Sequence, residues 1–144
     1  MSRMANKVIK LDPGYRPSSD EPFMNERQRE YFRRKLINWK EEILRDAEET
    51  LSAMQSDTET HPDLVDRASS EGDRAIELRA RDRQRKLIAK IESALLRIAD
   101  GSYGFCEETG DPISLQRLDA RPIATLSLEA QERHERREKI YRDD

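Results

Sequence analysis

Apolar side chains fall in two long, regular series separated by a short break. In the first, Phe32, Leu36, Trp39, Ile43, Ala47, Thr50 and Met54 follow one another at steps of three and four. That spacing draws one stripe along a helix of about 3.5–3.6 residues per turn. Charged residues fill the positions between, and no Gly or Pro interrupts from Asn25 to Thr60. Asn25 can cap the helix, and Gln28, three residues on, completes a capping box. The run His61-Pro62-Asp63-Leu64 then stops it, because Pro62 disfavours helix for the residue before it. A second helix is predicted from Asp63 or Leu64 to about Ala99. Its stripe is Val65, Ala68, Ala75, Leu78, Leu87, Ile91, Leu95 and Ile98, and Gly101 in Asp100-Gly101-Ser102 ends it. Two narrow stripes joined by a short break bury themselves most simply against each other, as an antiparallel coiled-coil hairpin. Each arm of about 35 residues would reach roughly 50 Å, with the turn at the far end.

The flanks read differently. Residues 1–22 carry Pro13, Gly14, Pro17, Ser18, Ser19 and Pro22, and are expected to form a flexible leader with a short ordered piece around Val8 to Leu11. Residues 23–100 are the hairpin, with its tip at 61–68. Residues 101–126 hold two glycines, a proline and two aromatics within Tyr103–Ile113, and read as a compact knob of turns and short strands. Tyr103, Phe105, Ile113, Leu115, Leu118, Ile123, Leu126 and Leu128 are its expected packing residues. Ser127 can cap a last, very polar helix from Leu128 to about Tyr141, so that 127–144 form a C-terminal helix and tail. The fold class is mainly α.

Composition supports an elongated rather than a compact molecule. Only 35% of the 144 residues are hydrophobic and 40% are charged, which is little apolar material for a globule of this length. The net charge of −3 excludes a general, strongly basic nucleic-acid binder. One cysteine excludes an internal disulfide, and no segment has the apolar length of a signal peptide or a membrane span. A cytoplasmic monomer without membrane attachment or sequence-specific DNA binding is expected.

Three places carry candidate chemistry. Asp63 and Asp66 share one face at a helix start; capping and the helix dipole account for them, and a magnesium ion, their own or a partner's, is the alternative. A hairpin tip is also the part of a rod that enters a cleft. Arg79, Arg83, Lys86 and Lys90 share a face of the second helix, which reads as a solvated coiled-coil face or as a site for phosphate. Finally, Cys106 and Thr109 have the C-x2-C spacing of a zinc ribbon, and Ser127 and Ala130 repeat it downstream. Thr, Ser and Ala supply no thiolate or imidazole, so the frame is predicted to hold no zinc. Cys106 then reads as a small buried filler, with a redox sensor as the alternative. No catalytic constellation is present, and the chain is not read as an enzyme.

Several blocks resemble one known family. Pro62-Asp63-Leu64-Val65-Asp66-Arg67-Ala68 is similar to the tip motif D-P-V-D-R-A of DksA. Leu78-Arg79-Ala80-Arg81-Asp82-Arg83-Gln84-Arg85-Lys86-Leu87-Ile88 resembles the second-helix signature of that family. Tyr103-Gly104-Phe105-Cys106-Glu107 and Arg117-Leu118-Asp119-Ala120-Arg121-Pro122 resemble its knob, and order and spacing match from about Met24 to the C-terminus. The resemblance implies a regulator that binds bacterial RNA polymerase and inserts its coiled-coil tip into the secondary channel, the nucleotide entry pore. It further implies modulation of initiation at ribosomal RNA and amino-acid promoters, with guanosine tetraphosphate as effector in the stringent response. It carries the tip role onto Asp63, Asp66 and Ala68, and the nucleotide contacts onto Arg83, Leu87, Lys90 and Arg121. Gln131 stands where the family site has a further basic residue. Family members typically hold zinc with four cysteines; here Cys106, Thr109, Ser127 and Ala130 are the degenerate positions. A factor stimulating transcript cleavage and a purely structural coiled coil are the alternatives.

Overall fold

The computed structural model describes residues 8–60 and 64–143, with side chains described for 8–53 and 71–141. Four helices follow in order: α1 (Glu26–Thr60), α2 (Leu64–Asp100), α3 (Leu115–Ala120) and α4 (Leu128–Asp143). Among the described residues the β pairing outside them is one antiparallel bridge, Phe105 to Pro112. The knob expected to contain short strands is therefore mostly turns, together with the unexpected α3. Ser114 explains α3: its hydroxyl accepts from the Arg117 N–H at 3.2 Å, as an N-cap should. No helix among the described residues is long and apolar enough to cross a membrane.

The helix ends form as the sequence predicts. Asn25 Oδ1 accepts from the Gln28 N–H at 2.9 Å. Gln28 turns back as in a capping box, although its Oε1 accepts from Met24 N at 2.7 Å, one residue beyond the usual partner. At the end of α2, Gly101 takes φ 88°, and the N–H groups of Gly101 and Ser102 both donate to the Arg97 carbonyl, at 2.9 and 3.0 Å. Ser127 Oγ accepts from Ala130 N at 3.2 Å and starts α4.

The chain packs as two compact units, one comprising residues up to Leu36 with Ser93 onward, the other Ile37–Glu92. This division falls inside the long helices, away from the boundary expected at residue 100. The first unit explains why. Phe32, Leu36, Ala94, Ile98, Tyr103, Ile113, Leu118 and Ala130 are all buried in it. Phe32 lies between Tyr31 (5.2 Å, edge-on) and Tyr103 (5.6 Å), so the base of α1 belongs to the same core as the knob. Phe105 and Leu128, expected inside, are 38% and 58% exposed. Phe105 instead meets Phe23 edge-on at 5.4 Å, and Ala130 rather than Leu128 turns α4 inward.

Residues 8–22, expected to be a flexible leader, are tied to this unit by defined contacts. The buried Gln28 amide donates to the Ser18 carbonyl and to Glu21, each at 3.2 Å. Tyr15 donates to Glu21 at 2.7 Å, and the Arg27 guanidinium sits 4.4 Å above the Tyr15 ring. Arg34 donates to the Ile9 carbonyl at 2.6 Å. The Tyr15 phenol is pushed up to about 12 by burial and by its bond to Glu21. Prolines and glycines signal an absence of helix here, which is a different property from an absence of order.

In the second unit α1 and α2 lie side by side, linked by the Lys40–Glu92 ion pair at 3.1 Å. The α1 seam is the predicted one, with Ile43 buried and Trp39, Ala47 and Thr50 half-buried. The α2 seam departs from expectation. Ala75 and Leu78 are exposed, whereas Glu77, Ala80, Gln84, Leu87 and Ile88 are half-buried and Ile91 is buried. Counting back from Ile91 in steps of 3.5 residues lands on Gln84 and Glu77, so Leu78 falls one position off the seam.

Candidate functional site

Of the tip predicted from sequence at 61–68, the backbone is described from Leu64 onward and the side chains are outside the described set. Asp63 is among those not described. Asp66 and Ala68 fall within the first turns of α2, while their side chains are outside the described set.

The basic face of α2 is described and exposed. Arg83, Leu87 and Lys90 follow at steps of four and three, which stacks them on one side of the helix. Arg83 and Lys90 are exposed and Leu87 half-buried between them. Of the face predicted as a phosphate site, Lys86 is paired with Asp82 at 3.2 Å. Arg79, Arg83 and Lys90 make no ion pair among the described residues. Arg79, Asp82 and Arg83 line a shallow concavity with the exposed Ile76 and Leu78.

Arg121 belongs to the first unit, directly after α3, and is exposed. Its N–H donates to the Arg117 carbonyl at 2.7 Å and its carbonyl accepts from Ala124 N at 3.0 Å. Two residues earlier, Asp119 is gripped from α1. Tyr31 donates to Asp119 Oδ1 at 2.6 Å. Lys35 Nζ reaches the same oxygen at 2.6 Å and the Asp119 carbonyl at 2.7 Å. The hydrogen bonds from Lys35 and then Tyr31 hold the Asp119 carboxyl below the usual carboxylate range, against the opposing effect of burial. Burial, reinforced by Asp119, pushes the Tyr31 phenol up to about 12. On the far side of Arg121, the buried Tyr103 donates to the Pro122 carbonyl at 2.8 Å. None of these partners was legible in sequence: Tyr31 and Lys35 are 88 and 84 residues from Asp119, and no local spacing links them. Gln131 is half-buried and donates to Glu135 at 3.2 Å.

Three of the four degenerate zinc positions meet at the Cys106 thiol. Cys106 is shielded from solvent just beneath the knob surface. Burial there raises the thiol's pKa. Hydrogen bonds from the Thr109 hydroxyl and from the backbone of Ser127, Thr109 and Glu108 outweigh it and bring the thiol down to about 6. The fourth position, Ala130, is fully buried and contributes a methyl group. One cysteine sulfur, a hydroxyl donating to it, a second hydroxyl occupied in capping α4 and a methyl group do not make a tetrahedral donor set. The residues present therefore do not fit zinc. Among the described residues no group of three or more His, Cys, Asp and Glu is placed to hold a metal.

Comparison with known families supplies the class of this helical chain, that of bacterial transcription factors. The model described as the DnaK suppressor protein DksA N-terminal domain matches residues 28–98. The prokaryotic dksA/traR C4-type zinc finger matches residues 101–136. A protein of Caulobacter vibrioides, named RNA polymerase-binding transcription factor DksA, is 71% identical over 130 residues, covering 90% of this chain and 92% of its own. The Escherichia coli K12 protein of the same name is 42% identical over 125 residues, covering 87% and 83%. Among solved structures, transcription factor DksA2 from Pseudomonas aeruginosa superposes with a TM-score of 0.77 at 41% identity, covering 85% of this chain and 93% of that one. The chain belongs to the DksA family.

Proposed function

We propose that this chain regulates transcription by binding bacterial RNA polymerase, without catalysing a reaction itself. The observation that carries the reading is the 71% identity, over nine-tenths of the chain, to a protein named for that activity. The site of work is then the cytoplasm, and the partner is polymerase rather than a specific DNA sequence. The tip of the hairpin, with Asp63, Asp66 and Ala68, enters the secondary channel. Carboxylates brought near the catalytic magnesium change the field acting on it and on the incoming nucleotide. Guanosine tetraphosphate binds at the polymerase interface through Arg83, Lys90 and Arg121, beside the apolar Leu87. Arg83 and Lys90 support this, since they are exposed and make no ion pair among the described residues, which leaves a guanidinium and an ammonium available to phosphate. Gln131 supplies no charge to that site, and the protein acts as a monomer.

Multi-round transcription from a ribosomal RNA promoter tests the reading. Purified polymerase with this protein is expected to give less transcript than polymerase alone, and guanosine tetraphosphate is expected to deepen the loss. Unchanged output, with no retention of the protein on polymerase, would overturn it. The knob is proposed to stand without zinc, through its apolar core and the hydrogen bonds around Cys106. Metal analysis should find no stoichiometric zinc, and chelation should leave the melting temperature unchanged. One zinc per chain would refute the zinc-free knob while leaving the polymerase reading intact.

A further inference from the structure

We propose that Tyr31, Lys35 and Tyr103 are positioning residues that hold Arg121 ready for an anionic ligand. The backbone around Arg121 is fixed on every side: its own N–H and C=O are both bonded, Asp119 before it is held by two side chains of α1, and the Pro122 carbonyl after it is held by Tyr103. Its side chain, by contrast, is exposed and has no hydrogen-bond or ion-pair partner among the described residues. A surface residue that served only to solvate the knob would need no such support. Fixing the backbone beneath a free guanidinium lowers the ordering cost when that guanidinium meets a phosphate, and so raises affinity without adding a contact. The Lys35 ammonium bonds both the side chain and the main chain of Asp119, so it sets the last turn of α3 as well as neutralising the carboxylate. The inference rests on the reading of Arg121 as a contact for guanosine tetraphosphate.

The test is the nucleotide dependence of repression in the same transcription assay, using the full chain. Lys35→Met is expected to raise the nucleotide concentration for half-maximal repression by about tenfold, the lower end of the loss when a residue supporting a metal ligand is removed. Repression without nucleotide is expected to stay at the wild-type level, and Lys35→Arg to restore the response. In an Arg121→Ala background, Lys35→Met should add nothing, because the residue it positions is gone. Tyr103→Phe, which removes only a hydroxyl, provides a second variant with the same expected direction should Lys35→Met fold poorly. Additive losses, or an equal fall in repression with and without nucleotide, would overturn the positioning role. A wild-type nucleotide response in Arg121→Ala alone would remove the contact itself and the positioning with it, while nucleotide-independent repression would still stand as evidence for polymerase regulation.

Discussion

Asp66→Asn is expected to leave transcript output from a ribosomal RNA promoter at the level of polymerase alone, while the protein still folds and is still retained on polymerase. The substitution separates charge from shape. Asparagine matches aspartate in size and keeps a hydrogen-bond acceptor in the first turn of α2. What disappears is one negative charge near the first turn of α2, and its interaction with the helix dipole amounts to roughly 0.3–1 kcal/mol at an exposed position. Stability should fall by no more than that. If the carboxylate acts on the polymerase magnesium, however, the amide removes the whole effect, because only the ionised group alters the field there. If Asp66 serves only the helix dipole, the pattern reverses: a small loss of stability and full repression. Melting temperature, retention on polymerase and transcript yield, measured on one preparation, separate the two. Full repression by Asp66→Asn would end the tip mechanism.

Sequence reveals the long helices because their signals are local and repeated. The α1 seam, the Asn25 cap and the Gly101 and Ser127 boundaries all follow from spacing or from a single residue's conformational preference. The α2 seam was harder to read, since it is built from Glu77, Ala80 and Gln84 and the apolar Ile76 and Leu78 lie outside it. A search for apolar residues selects Leu78 over its less apolar neighbour Glu77, and only the 3.5-residue register corrects the choice. The helix α3 is six residues long, too short for any periodicity, and Ser114 was its one local signal. The grip of Lys35 and Tyr31 on Asp119 leaves no trace in one dimension, because a lysine, a tyrosine and an aspartate far apart in the chain have no distinguishing pattern. The Cys106 surroundings were half legible: the degenerate ligand spacing showed where the group lies, while the donors replacing the metal include backbone N–H groups that sequence does not display.

Phe32→Ala is expected to be the most damaging single truncation in the first unit, at about 3–5 kcal/mol. Phe32 is fully buried, and the residues with comparable burial in that unit are few for its length. Against a typical total of about 5–15 kcal/mol for a domain, the loss leaves a small margin or none. Urea denaturation should show the midpoint falling far below that of wild type. Phe105→Ala is the matched control: the same side chain, 38% exposed, with one edge contact to Phe23. It should cost much less, and equal midpoints for the two variants would show that Phe32 carries no more of the core than Phe105 does. The consequence reaches beyond stability. Phe32 packs against Tyr31 and Tyr103, and their hydroxyls are the ones that hold Asp119 and Pro122 on either side of Arg121. Emptying the space between these rings frees both to move before the unit as a whole unfolds. In conditions mild enough for the variant to remain folded, the nucleotide response should therefore weaken while retention on polymerase persists, because the core that stabilises the knob is also the support of its exposed arginine.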